Sequence, residues 1–146
     1  MSIGKICSRG VDTATPEESV LTLAQRMHAR KVGTLVVINN NREPIGIITD
    51  RDLSMRVVAA GADPARMTAC DVMTPSPTTV HFDTDIKDVL GVMRNNSCRR
   101  IPVVDGLDHL VGLVSLDDIV ELLADEFQTI RDLIREESPE SLACTI

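Results

Sequence analysis

Gly46-Ile47-Ile48-Thr49-Asp50-Arg51-Asp52 reads as a buried strand running straight into a helix, and Gly112-Leu113-Val114-Ser115-Leu116-Asp117-Asp118 repeats it 66 residues later. The same offset aligns Thr13 with Thr79, Val20 with Ile86, Leu23 with Val89, Ala24 with Leu90, Met27 with Met93 and Val37 with Val103, without a gap. Identities are few, but the apolar pattern persists. Self-similarity at a fixed spacing marks a chain made of copied supersecondary units. Units of about 60 residues seldom bury enough surface alone, so the two halves are expected to pack together.

Working outward from the junctions, each half resolves into the same elements. Thr15-Pro16-Glu17-Glu18 offers an N-cap, a proline at the first helical position and an acidic third position. Val20, Leu23, Ala24 and Met27 then recur at helical spacing, which predicts a helix ending near Arg30. After Thr84, Ile86, Val89, Leu90 and Met93 form the matching face, ending near Asn95-Asn96; the paired methionines read as core fillers. Leu35–Ile38 and Ile45–Ile48 are short strands joined by a turn-rich loop, and Ile101–Val104 with Leu110–Val114 repeat that hairpin. Second helices follow Thr49 and Ser115; the first ends at Gly61 as C-cap and the second extends to Ile134. The stretch from Gly61 to Pro77 reads as linker around a short helical segment, and the tail from Glu136 to Ile146 as chain that frays or meets a partner.

Composition narrows the function classes. The chain has 146 residues, 15 basic against 22 acidic, for a net charge of -7. That balance disfavours a sequence-independent grip on duplex nucleic acid. With no Trp or Tyr and only Phe82 and Phe127, there is little from which to build a platform for stacked bases. No apolar run approaches the roughly 18 residues of a membrane span, and Met1–Gly10 lacks the hydrophobic segment of a signal peptide, so the expectation is a soluble cytoplasmic protein with no membrane insertion. Cysteines 7, 70, 98 and 144 form no CxxC pair and read as reduced thiols; histidines 28, 81 and 109 match no metal-ligand spacing, so no metal is expected.

Chemistry is expected where a strand meets a helix N-terminus. Amide groups and the positive end of the helix dipole there favour an anion, and Thr49 adds a hydroxyl. Asp52 lies one turn on, where a carboxylate accepts from two neighbouring hydroxyls at once, as in holding a ribose diol. Gly46 lets a ligand or backbone approach the strand. Gly112, Ser115 and Asp118 repeat all three features. The same Thr49-x-x-Asp52 and Ser115-x-x-Asp118 spacing is also that of a helix capping box, with Asp in place of the usual Glu or Gln, and duplication of a structural cap would be equally symmetric.

Together with Arg99-Arg100-Ile101-Pro102-Val103-Val104-Asp105 and Asp71-Val72-Met73-Thr74-Pro75, these motifs make residues 6 to 124 resemble a tandem pair of cystathionine-β-synthase-type (CBS) domains, a Bateman module. The resemblance implies an α/β (α+β) fold of two β-α-β-β-α repeats packed through their sheets about a pseudo-twofold axis. Its divisions would be repeat 1 at 6–61, a linker at 62–72, repeat 2 at 73–124, and a C-terminal helix extension and tail at 125–146. It also implies two clefts for adenosine-containing ligands such as AMP, ADP, ATP, NAD or S-adenosylmethionine. In the first, Thr49, Arg51 and Asp52 would face Thr79, Val80, Arg99, Arg100, Ile101 and Pro102. In the second, Ser115 and Asp118 would face Thr13, Ala14 and the Gly33–Val36 stretch, including Thr34.

The clefts are chemically unequal, because the first gathers guanidinium groups suited to a polyanion whereas the second has Asp117 in place of Arg51. Strict strand alternation would send only one of Arg99 and Arg100 inward; both also fit the description of solvated charges at a strand end. Cys98 beside the cleft reads as a buried small hydrophobe and not as a reactive thiol. No nucleophile and base stand at a readable spacing and no GxxxxGK[ST] loop is present, which argues against a nucleotide hydrolase built on Asp52 and Arg99. The expectation is a non-enzymatic regulatory module, homodimeric through its apolar helix faces and acting on a protein partner. The competing reading is a ligand-independent structural or protein-interaction module.

Overall fold

The computed structural model describes residues 1–137. The expectation for the tail therefore falls almost wholly outside the described residues. Each half carries the elements anticipated, and the copies share the left-handed end of the first helix and a register slip in the hairpin at the 66-residue offset.

In the first half, β1 (Thr13–Ala14) runs parallel to β2 (Thr34–Ile38), and β2 pairs antiparallel with β3 (Pro44–Thr49). Helix α1 (Val20–Arg30) buries Val20, Leu23 and Met27 against this sheet and stops at Lys31, which adopts a left-handed φ of 56°. Helix α2 (Asp50–Leu53) passes into a π-helical turn over Ser54–Val58. The chain then turns at Gly61, φ 66°, with the Ala62 amide donating to Val57 O at 3.0 Å, the role expected of that glycine.

A short helix α3 (Ala69–Val72) and strand β4 (Thr74–Pro75) come next. The second half then supplies β5 (Val80–His81), α4 (Ile86–Asn96), β6 (Arg100–Val104), β7 (Leu110–Ser115) and α5 (Leu116–Glu136). Ser97 closes α4 at φ 50°, and β6/β7 slips register at Val103/Val104 as β2/β3 does at Val37/Ile38.

The leading segments of the two halves are exchanged. Strand β4 pairs antiparallel with β3, and Ala69 and Val72 are fully buried in the first core beside Leu35, Val37 and Ile48. Reciprocally, Ile3 is buried in the second core, its amide donates to Thr84 O at 2.8 Å, and Ser8 pairs with Leu113 of β7 through two 2.9 Å backbone bonds. Two matched glycines admit these segments: a Cβ on Gly46 would stand 2.3 Å from Met73 Sδ, and one on Gly112 2.7 Å from Cys7 Sγ.

That exchange explains one departure from expectation. Thr15 does not cap α1; Ser19 does, accepting from the Thr22 amide at 3.2 Å. The Glu18 carboxylate is held by Arg26 and by the Thr15 amide. The backbone of residues 16–20 pairs with 67–70: Val20 N–H donates to Met67 O, Ala69 N–H to Glu18 O and Cys70 N–H to Pro16 O. Long-range pairing overrides a locally good helix start.

Strand β2 is buried on both faces. Leu35 and Val37 belong to the first core, while Thr34 and Val36 on the opposite face are covered as well. Strand β6 behaves alike, with Pro102 and Val104 covered on the face away from Ile101 and Val103. A face turned from its own helices is shielded by the other half, and the Leu110 amide donating to Arg42 O at 2.8 Å ties the halves directly. The result is a mixed α/β architecture of two helix-backed sheets, as expected.

Candidate functional site

The strand-to-helix junction is built from the capping geometry upward. Thr49 Oγ1 accepts from the Asp52 amide at 3.2 Å, and Asp52 Oδ2 accepts from the Thr49 amide at 2.8 Å. Ser115 and Asp118 repeat the box at 3.1 and 2.9 Å. A third box, Thr68 with Asp71, starts α3. The motif is therefore a helix cap wherever it occurs, and a binding role needs something besides the cap.

The amides at this junction depart from expectation. Asp50 N–H donates to Gly33 O at 3.0 Å and Arg51 N–H to Asp50 Oδ1 at 2.9 Å, so all four amides from Thr49 to Asp52 are engaged by protein groups. The positive end of α2 is closed by its own side chains and by the Gly33 carbonyl, and an anion there would have to be held by side chains instead.

What Asp52 has beyond its cap is a cavity. A space of about 390 Å³ opens between the halves, lined by Thr34, Ile47, Thr49 and Asp52 from the first half and Asn96, Cys98, Arg99 and Arg100 from the second. Its floor is the Thr74–Thr78 segment. The cap uses Oδ2 of Asp52; Oδ1 lies 3.9 Å from Arg56 Nη2. Arg56 in turn donates to Val72 O at 2.7 Å and to Thr74 Oγ1 at 3.3 Å, fastening the floor strand to the helix that carries Asp52.

Thr49, Asp52, Arg99 and Arg100, taken from the two halves, thus line one cavity. Both arginines contribute to it, because β6 begins only at Arg100 and alternation does not govern Arg99. Arg99 is 71% exposed and donates to Asp117 Oδ1 at 3.1 Å. Thr34, expected opposite Ser115 and Asp118, instead lines the cavity of Thr49, its register partner across β2/β3.

Several expected residues do not line it. Val80 and Ile101 point into the second core, Pro102 is buried, and Thr79 and Arg51 are exposed elsewhere. Thr13 lines a separate surface cavity of about 430 Å³ whose charges are paired internally, Arg26 with Glu18 and Arg30 with Asp12. Ser115 and Asp118 cap α5 and reach neither space.

Burial pushes the Cys98 thiol above its ordinary value of 9.0, so it remains protonated at neutral pH and serves as an apolar wall. Sequence reading missed Arg56 and the floor. Arg56 stands four residues from Asp52, a spacing that pairs charges on a helix; the floor was hidden because Thr74-Pro75-Ser76-Pro77 looks like linker. Among the described residues no three His, Cys, Asp or Glu gather as a metal site, and no helix is long and apolar enough to cross a membrane.

Comparison with known proteins follows the same division of the chain. The chain is 35% identical over 122 residues to the protein MK0525 of Methanopyrus kandleri, covering 84% of this chain and 62% of that one. It is 33% identical over 119 residues to Hypoxic response protein 1 of Mycobacterium tuberculosis, 81% of this chain and 82% of that one. A crystal structure of Hypoxic Response Protein I with two coordinated zinc ions matches with a TM-score of 0.74 at 30% identity, over 83% of this chain and 98% of the other. The CBS domain pair of protein MJ0100, in complex with 5'-methylthioadenosine and S-adenosyl-L-methionine, matches with a TM-score of 0.76 at 25% identity, over 86% and 98%. The family model for the CBS domain matches twice, at residues 3–59 and 69–125, each match taking in one exchanged leading segment and one capped junction. The chain belongs to the CBS domain family and carries two such domains in tandem.

Proposed function

We propose that this tandem pair is a non-catalytic regulatory module that takes an adenosine-containing ligand, AMP, ADP, ATP, NAD or S-adenosylmethionine, in the cavity between its halves. The observation that carries this reading is the position of Asp52, which keeps Oδ1 outside its cap and lines a cavity together with Arg99 and Arg100. A carboxylate oxygen free of the cap suits a ribose diol, and the guanidinium groups suit a phosphate chain or carboxylate. With no aromatic in the wall, an adenine ring would lie between Ile47 and the prolines 75 and 77. The volume falls within the range of about 300–1,000 Å³ common to small-molecule sites. The relative bound to 5'-methylthioadenosine and S-adenosyl-L-methionine supports the ligand class without choosing among its members.

Because the wall comes from both halves, a ligand bridging them would fix their relative placement, and a protein partner reading that placement would be regulated. We place the module in the cytoplasm, as a homodimer. Calorimetric titration with AMP, ADP, ATP, NAD and S-adenosylmethionine tests the reading: at least one binds with one site per chain and raises the melting temperature. Absence of binding by all five at millimolar concentration refutes it. A ligand-independent structural module is the second reading, favoured by the complete engagement of the Thr49–Asp52 amides. It predicts no ligand-dependent shift in melting. Incubation with ATP and magnesium is expected to release no phosphate.

A further inference from the structure

Helix α5 outruns the domain that starts it. Ile119 is buried in the second core, but every residue from Leu123 to Glu137 is exposed, so the helix projects from the body for about four turns. A projecting helix that is polar all round is unremarkable; this one is not. Val120, Leu123, Phe127, Ile130 and Ile134 follow one another at spacings of three, four, three and four residues, the a/d pattern of a coiled-coil seam, and Phe127 is 72% exposed.

The charges beside the seam select its occupant. In this heptad frame Glu126 falls at g and Arg131 at e, while Asp125 and Asp132 lie on the far side. In a parallel, in-register pair the g residue of one helix meets the e residue of the next heptad on the other, so Glu126 meets the second copy's Arg131, twice by symmetry. An antiparallel pair sets Glu126 against Leu133 or against its own copy, depending on register. Arg131 has only a loose contact in its own chain, Nε 3.8 Å from Asp132 Oδ1, and is available.

We infer that α5 pairs in parallel with α5 of a second copy of this chain, through the Val120–Ile134 seam, with register set by reciprocal Glu126–Arg131 pairs. This rests on the homodimer reading above and not on nucleotide binding. Five large side chains per copy bury about 1,000 Å² in total, near the lower edge of specific interfaces.

Sedimentation equilibrium of the full chain tests the pairing. Phe127→Asp, at an exposed position that leaves the fold intact by circular dichroism, is expected to raise the dimer dissociation constant at least about 100-fold. Glu126→Arg and Arg131→Glu each place like charges across the seam and weaken the dimer about tenfold. Mixing those two variants restores dimer, as does combining both changes in one chain. A monomeric wild type overturns the homodimer reading and this inference together. A Phe127→Asp protein that dimerises as well as wild type overturns the helix pairing alone. Charge reversals that weaken the dimer without mutual rescue overturn the parallel register.

Discussion

Replacing Asp52 by alanine separates its two roles, because Asp71 provides an internal control. Both carboxylates close the same type of box, accepting from the Thr49 and Thr68 amides at 2.8 and 2.9 Å, but only Asp52 lines the cavity. Loss of a cap costs about 1 kcal/mol. For a chain of this size that corresponds to a fall of roughly 2–4 °C in melting temperature for Asp52→Ala and Asp71→Ala alike. Their affinities should diverge. A carboxylate oxygen holding a diol makes charge-assisted bonds worth about 1.5–3 kcal/mol, so Asp52→Ala is expected to weaken the adenosine ligand by about 10- to 100-fold, with Asp71→Ala unchanged. Asp52→Asn keeps an acceptor for the Thr49 amide and should hold stability within about 0.5 kcal/mol while still losing affinity. Calorimetry with the tightest of the five ligands and thermal melting are measured on the same samples. Equal losses of stability in both alanine variants, with affinity untouched in each, would show that Asp52 is a cap and nothing more.

Other expectations are simpler to state. Gly112→Ala places a Cβ 3.0 Å from the Ser8 backbone oxygen as well as against Cys7, and is expected to lower the free energy of unfolding by about 1–3 kcal/mol in denaturant titration; Gly46→Ala runs into the Sδ, Cγ and Cβ of Met73 together and should cost a similar amount. Ser97→Gly removes a side chain from a left-handed position and should stabilise by about 1 kcal/mol in denaturant titration. Arg26 holds the Glu18 carboxyl below its ordinary value of 4.5, so its contribution is present above that pH and lost as acid carries the solution through the depressed value. Glu18→Gln should flatten the acid-side fall in stability, measured by unfolding at a series of pH values.

The parts legible in the sequence were those governed by local periodicity. Val20, Leu23 and Met27 announced one helix face and Val89 and Met93 its copy, while the Gly-to-Asp junctions gave the repeat length. Thr49, Asp52, Arg99 and Arg100 were drawn from opposite halves toward one place, where they line a single cavity. What escaped was set by distant partners. Thr15-Pro16-Glu17-Glu18 satisfies every local rule for a helix start, yet Arg26 and residues 67–70 claim its groups. Thr74-Pro75 has linker composition, but at a sheet edge proline needs no ladder donor, and the pair becomes both strand and cavity floor. Thr34 follows Thr49 because a hairpin register is fixed by the whole ladder and not by the residues flanking a motif.

The reciprocal loan of leading segments has an implication for how such a chain arises. A solitary unit of this design would leave its sheet edge bare and its first turn homeless, and could close only by trading that turn with a twin. Fusion of two such twins head to tail keeps every contact while replacing an encounter between separate molecules by one within a single molecule, at the far higher effective concentration a tether supplies. A cut between Gly61 and Ala62 should therefore leave two fragments that are each unfinished, yet able to complete one another on mixing.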